Sequence, residues 1–299
     1  MSLIYLDNNA TTKVDPQVLE AMLPYFQEEY ANPSSVYEFA KHSNHAVREA
    51  RGVMKDFFNA RDEKEIIFTS CGSESANTAI RGVLNMNKNK RHVITTKVEH
   101  PCVLNLYQTL EKEGYKVDYI GVNSNGELDL AQLEEAISPD TALVSVMYAN
   151  NETGVIFPIE KISEIIKSKN KETKFFVDAV QVSGKIPIDV QTIGADLVGI
   201  SGHKFHAPKG VGALYVNSKT LITPLMPTRL YRSSGTSRKR RMKRLSNSPA
   251  PFSLINPPTP VIPEAYDGPN CAPALKVILP LNVSGACLLA NSHIALRAE

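Results

Sequence analysis

The decapeptide Ser201–Gly210, "SGHKFHAPKG", places a lysine and two histidines directly after the apolar run "ADLVGI". A short apolar, β-branched run of this kind reads as a buried strand. A lysine at its end meets whatever binds at the edge of the sheet. Lys204 is therefore suited to forming a Schiff base, because burial lowers the amine pKa and makes the neutral nucleophile accessible. Four more apolar runs end the same way: "EIIFTS" in Gly72 and Ser73, "HVITTKV" in the "EHP" of His100, "VSVMYA" in the "NNETG" of Asn151, and "FFVDAVQ" in Asp178 and Gln181.

Each group suggests its own chemistry. Gly72 and Ser73 open a helix after a strand, where backbone N–H groups and a hydroxyl receive an anion, best a phosphate; a plain N-cap is the ordinary alternative for Ser73. Asp178 lies in an apolar run, where an unpaired carboxylate is expensive. A protonated pyridine nitrogen would satisfy it, as would a neighbouring loop that it caps. His100 is either a loop or core histidine or a proton carrier at a strand end. An anion site, an acidic partner for a ring nitrogen and a lysine facing one crevice together match pyridoxal 5′-phosphate, whose protonated ring draws off electrons.

The elements needed to position these groups are legible up to about Met226. Apolar runs at "EIIFTS", "HVITT", "KVDYIGV", "ALVSVMYAN", "KFFVDAV", "DLVGIS" and "GALYV" alternate with stretches of helical period such as "SANTAIRGVLNMNK", "CVLNLYQTLEKEG" and "PIEKISEIIKSKN". The pattern predicts an α/β fold, with a mostly parallel sheet covered by helices on both faces. "DPQVLEAMLPYF" and "VYEFAKHSNHAVREARGVMKDFF" read as helices ahead of the sheet, the first starting at Asp15–Pro16. In such a sheet ligands bind beyond the carboxyl ends of the strands, so the five polar clusters are expected at one edge.

Composition divides the chain. The net charge of +2 over 299 residues argues for no nucleic-acid or membrane partner. From Pro227 onward, however, 10 basic residues face 3 acidic, against 23 and 28 before it, and 10 of the 19 prolines lie in that segment. Residues 1–226 are thus expected to form a cofactor-binding large domain with an N-terminal segment. Residues 227–299 are expected to be an atypical basic, proline-rich tail, poorly ordered, and read from a shifted frame or otherwise replaced. The run "SRKRRMKR" has no aromatic interleaving, which weakens a nucleic-acid reading. Cys71, Cys102, Cys271 and Cys287 show neither zinc-ligand nor disulfide-framework spacing, so no metal is expected. No apolar run reaches the roughly 18 residues of a membrane span, and a cytoplasmic protein is expected.

Seven ordered motifs, "YLDNNATT", "NPSSVYEFA", "EIIFTSCGSESAN", "VEHPCVL", "NNETGVIFPI", "FFVDAVQVSGKIPID" and "SGHKFHAPKGVGALYV", resemble the NifS/IscS-like cysteine desulfurases over residues 3 to 226. The resemblance implies an aminotransferase-like, fold-type I pyridoxal-phosphate enzyme whose small C-terminal domain is largely missing here. It implies that Lys204 is the Schiff-base lysine and that Asp178 pairs with the pyridinium nitrogen. Gln181 and Asn151 would lie against the ring substituents. Gly72, Ser73, Ser201 and His203 would hold the phosphate, and His100 would stack on the ring and move protons. It further implies L-cysteine as substrate, L-alanine and an enzyme persulfide as products, a homodimer, and a sulfur-acceptor or scaffold protein in iron–sulfur cluster or thiolation pathways. A selenocysteine lyase, an aminotransferase of the same fold type and a non-catalytic pyridoxal-phosphate-binding remnant are the alternatives. "YRSSGTSRK" echoes a family segment with Thr236 a few residues early. Cys287 in "VSGACLLA" faintly resembles the persulfide loop at too short a distance from Lys204, and an ordinary cysteine of an apolar segment is the competing reading.

Overall fold

The structure, a computed structural model, describes residues 4–225. The segment from residue 227, with Thr236 and Cys287, lies outside the described residues. Seven strands form one sheet: β1 (Ile66–Thr69), β2 (His92–Thr96), β3 (Lys116–Ile120), β4 (Thr141–Met147), β5 (Lys174–Asp178), β6 (Leu197–Ser201) and β7 (Gly212–Val216), in the order β1-β7-β6-β5-β4-β2-β3. Each falls on one of the apolar runs picked out in the sequence.

Both faces of the sheet are covered, and the twofold period of a strand sorts the side chains between them. Ile94, Val144, Phe175, Val177, Val198 and Tyr215 join one core, and their neighbours Val93, Leu143, Phe176, Leu197 and Leu214 join the other. The first core is closed by α2 (Ala40–Phe57), α5 (Leu130–Ala136), α6 (Ile159–Lys169) and α7 (Val190–Ile193), through Met54, Leu133, Ile162 and Val190. The second is closed by α3 (Gly72–Met86) and α4 (Pro101–Lys112), through Ile80, Val83, Leu106 and Tyr107. Helix α1 (Pro16–Gln27) begins as expected: the Asp15 carboxylate accepts the Gln17 N–H at 2.8 Å and Pro16 occupies the first turn. It buries only Val18 and Met22, leaving Leu19, Leu23 and Phe26 exposed. Among the described residues no helix is long and apolar enough to cross a membrane.

One strand departs from parallel order. β7 runs antiparallel to both of its neighbours, β1 and β6. Two reversals cancel, so β1 points the same way as β6. Its carboxyl end therefore lies at the same edge: Gly212 faces Thr69 on one side and Ser201 on the other.

Candidate active site

The carboxyl edge of the sheet gathers all nine of the residues singled out. Helix α3 starts there with Cys71 as its N-cap, and no side chain caps the first turn. Ser73 is thus inside the helix rather than its cap, and the early N–H groups of a four-turn helix face the edge with the positive end of its dipole. A side chain at Gly72 is excluded by packing: a Cβ would sit 2.8 Å from Val180 Cγ2 and 3.5 Å from Ser201 Cβ. That closeness ties the helix start to the ends of β5 and β6. Ser201 is 2% exposed and its Oγ has no hydrogen-bond partner. A buried hydroxyl without a partner is costly, so this atom is suited to a ligand.

Asp178, the last residue of β5, is buried, and its Oδ1 accepts the Val180 N–H at 3.0 Å. Burial pushes its pKa up, while the Val180 N–H, His100 and Lys204 pull it back. Lys204 ends the short 3-10 turn Gly202–Lys204 that follows β6. Its Nζ donates to the backbone carbonyls of Asn9, at 2.5 Å, and Ala10, at 3.0 Å. Burial lowers the Lys204 pKa, and the charges of Asp178 and Asp7 partly restore it. His203 reaches Thr11 Oγ1 through Nδ1 at 3.1 Å, and its pKa is lowered by burial and by Lys204 and Lys209.

His100 is the N-cap of α4, and its Nδ1 accepts the Cys102 N–H at 3.2 Å, with the Cys102 thiol at 3.0 Å. With Nδ1 an acceptor, the neutral ring carries its proton on Nε2. Gln181 Nε2 donates to the Asn9 carbonyl at 3.0 Å, and the Asn151 carbonyl accepts from Asn9 Nδ2 at 3.4 Å. Asn9 thus links Lys204, Gln181 and Asn151. Its place in "YLDNNATT" was visible in the sequence, but a role exercised largely through a backbone carbonyl leaves no trace in residue type.

A second residue went unremarked beside His100. Glu99 is 5% exposed, and its Oε1 accepts both Thr96 Oγ1 at 2.9 Å and the Met147 N–H at 2.8 Å. Its Oε2 has no partner. Burial, and after it the charge of Asp178, pushes its pKa up to about 8, against the pull of those two hydrogen bonds. Among the described residues no group of three or more His, Cys, Asp or Glu could hold a metal ion.

The donor set fits pyridoxal 5′-phosphate on the structure's own terms. An uncapped helix start and a buried hydroxyl without a partner suit an anion, a buried carboxylate suits a protonated ring nitrogen, and an amine of lowered pKa stands beside them. The family model for class-V aminotransferases matches residues 4–266, further than the sequence motifs reach. "Cysteine desulfurase 2" of Trichormus variabilis is 53% identical over 226 residues, and "Cysteine desulfurase NifS" of Azotobacter vinelandii is 45% identical over 226. Each match covers 76% of this chain and 56% of the relative, so the chain spans little more than half the length of these relatives. Among solved structures, a NifS-like protein superposes with a TM-score of 0.74 at 42% identity, covering 79% of this chain and 65% of that one. The structure described as SspA in complex with cysteine gives 0.71 at 38%, covering 75% and 65%.

Proposed function

Because the chain belongs to the class-V aminotransferase family, we propose that it is the cofactor-binding part of a pyridoxal 5′-phosphate-dependent cysteine desulfurase. The reaction would convert L-cysteine to L-alanine and leave the sulfur as a persulfide on an enzyme cysteine. When bound, the cofactor supplies an electron sink for bonds broken at the substrate's α- and β-carbons. The observation that carries the reading is the convergence of an uncapped α3, the unpartnered Ser201 Oγ, Asp178 and Lys204 on one strand edge. The two desulfurase relatives, and a solved relative bound to cysteine, support it.

The residues divide the work. Gly72 lets the first turn of α3 approach Ser201, so that helix N–H groups and two serine hydroxyls, Ser73 and Ser201, receive the phosphate, with His203 beside them. Asp178, ionised and buried, holds the ring nitrogen in its protonated form. Lys204 Nζ, with its pKa lowered by burial, supplies the neutral amine that carries the cofactor and then accepts and returns a proton. His100, exposed and with its proton on Nε2, would stack on the ring and pass protons. Gln181 and Asn151, both held to Asn9, would lie against the ring substituents. A homodimer and a sulfur-acceptor or scaffold protein complete the proposal. The outward Leu19, Leu23 and Phe26 of α1 are suited to burial against a partner.

Purified chain supplied with pyridoxal phosphate, L-cysteine and a thiol reductant should release sulfide and alanine in equal amounts. Conversion of L-cysteine or other amino acids to the corresponding oxo acids, without sulfide release, would replace the desulfurase reading with an aminotransferase.

A further inference from the structure

Glu99 brings a second carboxyl to the site. Its Oε1 binds the N–H of Met147, and Met147 is the register partner of Asp178 across β4 and β5. The two carboxyls therefore sit at adjoining strand ends, both buried. Two carboxylates in one such place do not both ionise readily, and the less supported one keeps the proton. Asp178 has a backbone N–H donor, and Lys204 and His100 lie near enough to favour its ionised form. Glu99 has two neutral donors on a single oxygen and none on the other. From α4 it faces Cys102 and Tyr107, which could add only negative charge.

We propose that Glu99 is a positioning residue that works as a neutral carboxylic acid, keeping the pair's proton so that Asp178 carries the buried negative charge of the site. Its carbonyl-like Oε1 takes two donors, as a neutral acid can, and fixes the end of β4 beside Asp178. The rise of the Glu99 pKa to about 8, with burial as the first cause, agrees with this assignment. The use of the device rests on the cofactor reading, since a charged Asp178 matters where a cationic ring nitrogen must be held. The protonation state of Glu99 does not rest on it.

The test follows the Glu99 carboxyl carbon by NMR in full-length, cofactor-free chain labelled with [δ-13C]glutamate. The resonance is assigned by its loss in Glu99→Gln or, should that variant not fold, by its displacement in Thr96→Val. An acid-form shift through neutral pH that titrates near pH 8 is expected; a carboxylate-form shift at pH 6 overturns the proposal. Dissociation constants for pyridoxal phosphate give the second readout. Glu99→Gln, which mimics the neutral acid, should stay within about threefold of the parent, whereas Glu99→Ala, which strands the Met147 N–H, should weaken binding about tenfold or more. A folded Glu99→Gln that binds about tenfold more weakly also overturns it. If the parent chain binds no pyridoxal phosphate, the cofactor reading fails, and the NMR titration still decides the state of Glu99.

Discussion

Replacing Ser201 with alanine should move two properties in opposite directions. The Ser201 Oγ is buried with no partner, and leaving a buried hydroxyl unsatisfied costs about 1–3 kcal/mol. Deleting it should stabilise the cofactor-free protein by about 1 kcal/mol, once the lost packing of one atom is set against the relief. For a chain of this size that raises Tm by about 2 °C. In the complex the same hydroxyl is proposed to donate to a phosphate oxygen, and a hydrogen bond to a charged group is worth about 1.5–3 kcal/mol. Its loss should therefore weaken pyridoxal phosphate binding by about 10- to 100-fold. Ser75 is the control. It is equally buried, but its Oγ is engaged with Thr69 Oγ1 at 2.8 Å and with the carbonyls of Cys71 and Ala213, both at 3.2 Å. Ser75→Ala should cost about 1–2 kcal/mol in the cofactor-free protein and leave the affinity nearly unchanged. Thermal melting of both variants without cofactor, followed by absorbance titration with it, gives all four numbers. If Ser201→Ala melts lower than the parent and binds the cofactor equally well, Ser201 is an ordinary core serine and the phosphate assignment fails.

Three further outcomes are expected. Lys204→Ala should carry no pyridoxal phosphate after borohydride reduction and denaturation, whereas mass spectrometry of the parent should find it on the peptide containing Lys204. Gly72→Ala should cost about 1–3 kcal/mol of stability, because its methyl would meet Val180 Cγ2 at 2.8 Å, and cofactor affinity should fall with it as α3 is pushed off Ser201. The folded-state pKa of Glu99 is raised from 4.5 to about 8, so its contribution to stability is complete below pH 4.5 and is lost as pH rises through 8. The full effect is on the order of 5 kcal/mol, and denaturant titrations across that window should show a decline that Glu99→Gln flattens.

Much of the arrangement was legible beforehand, for identifiable reasons. Strands buried on both faces are unbroken apolar runs, which is why β4 and β5 stood out, and Asp178 stood out because it interrupts one. Helices α5 and α7 did not stand out. Leu130–Ala136 and Val190–Ile193 span at most two turns, too few for a helical period to repeat. The antiparallel insertion of β7 left no mark either, since a fully buried strand has the same pattern in either direction. Ser73 looked like a helix cap by residue type, yet the chain enters α3 through Cys71, and only backbone geometry separates the two. Glu99 was visible in "EHP" but became informative only when its second oxygen proved to be buried and unpartnered.

The pairing of β1 with β7 also governs the order in which the chain can assemble. Ile66 is matched with Tyr215, so the strand leading to the anion site proposed at α3 finds its sheet partner only after nearly all the described chain has been made. Long-range closure of this kind is slow, because the entropy of a large loop is lost before any contact repays it. On the ribosome, β2 to β5 can associate while β1 and α3 still lack β7 beside them. Competence to bind phosphate should accordingly arrive late and abruptly, with the emergence of Gly212–Val216. Pulse-labelling hydrogen exchange during refolding would reveal this as β1 amides protected after those of β4 and β5; simultaneous protection would show that the edge forms early by another route.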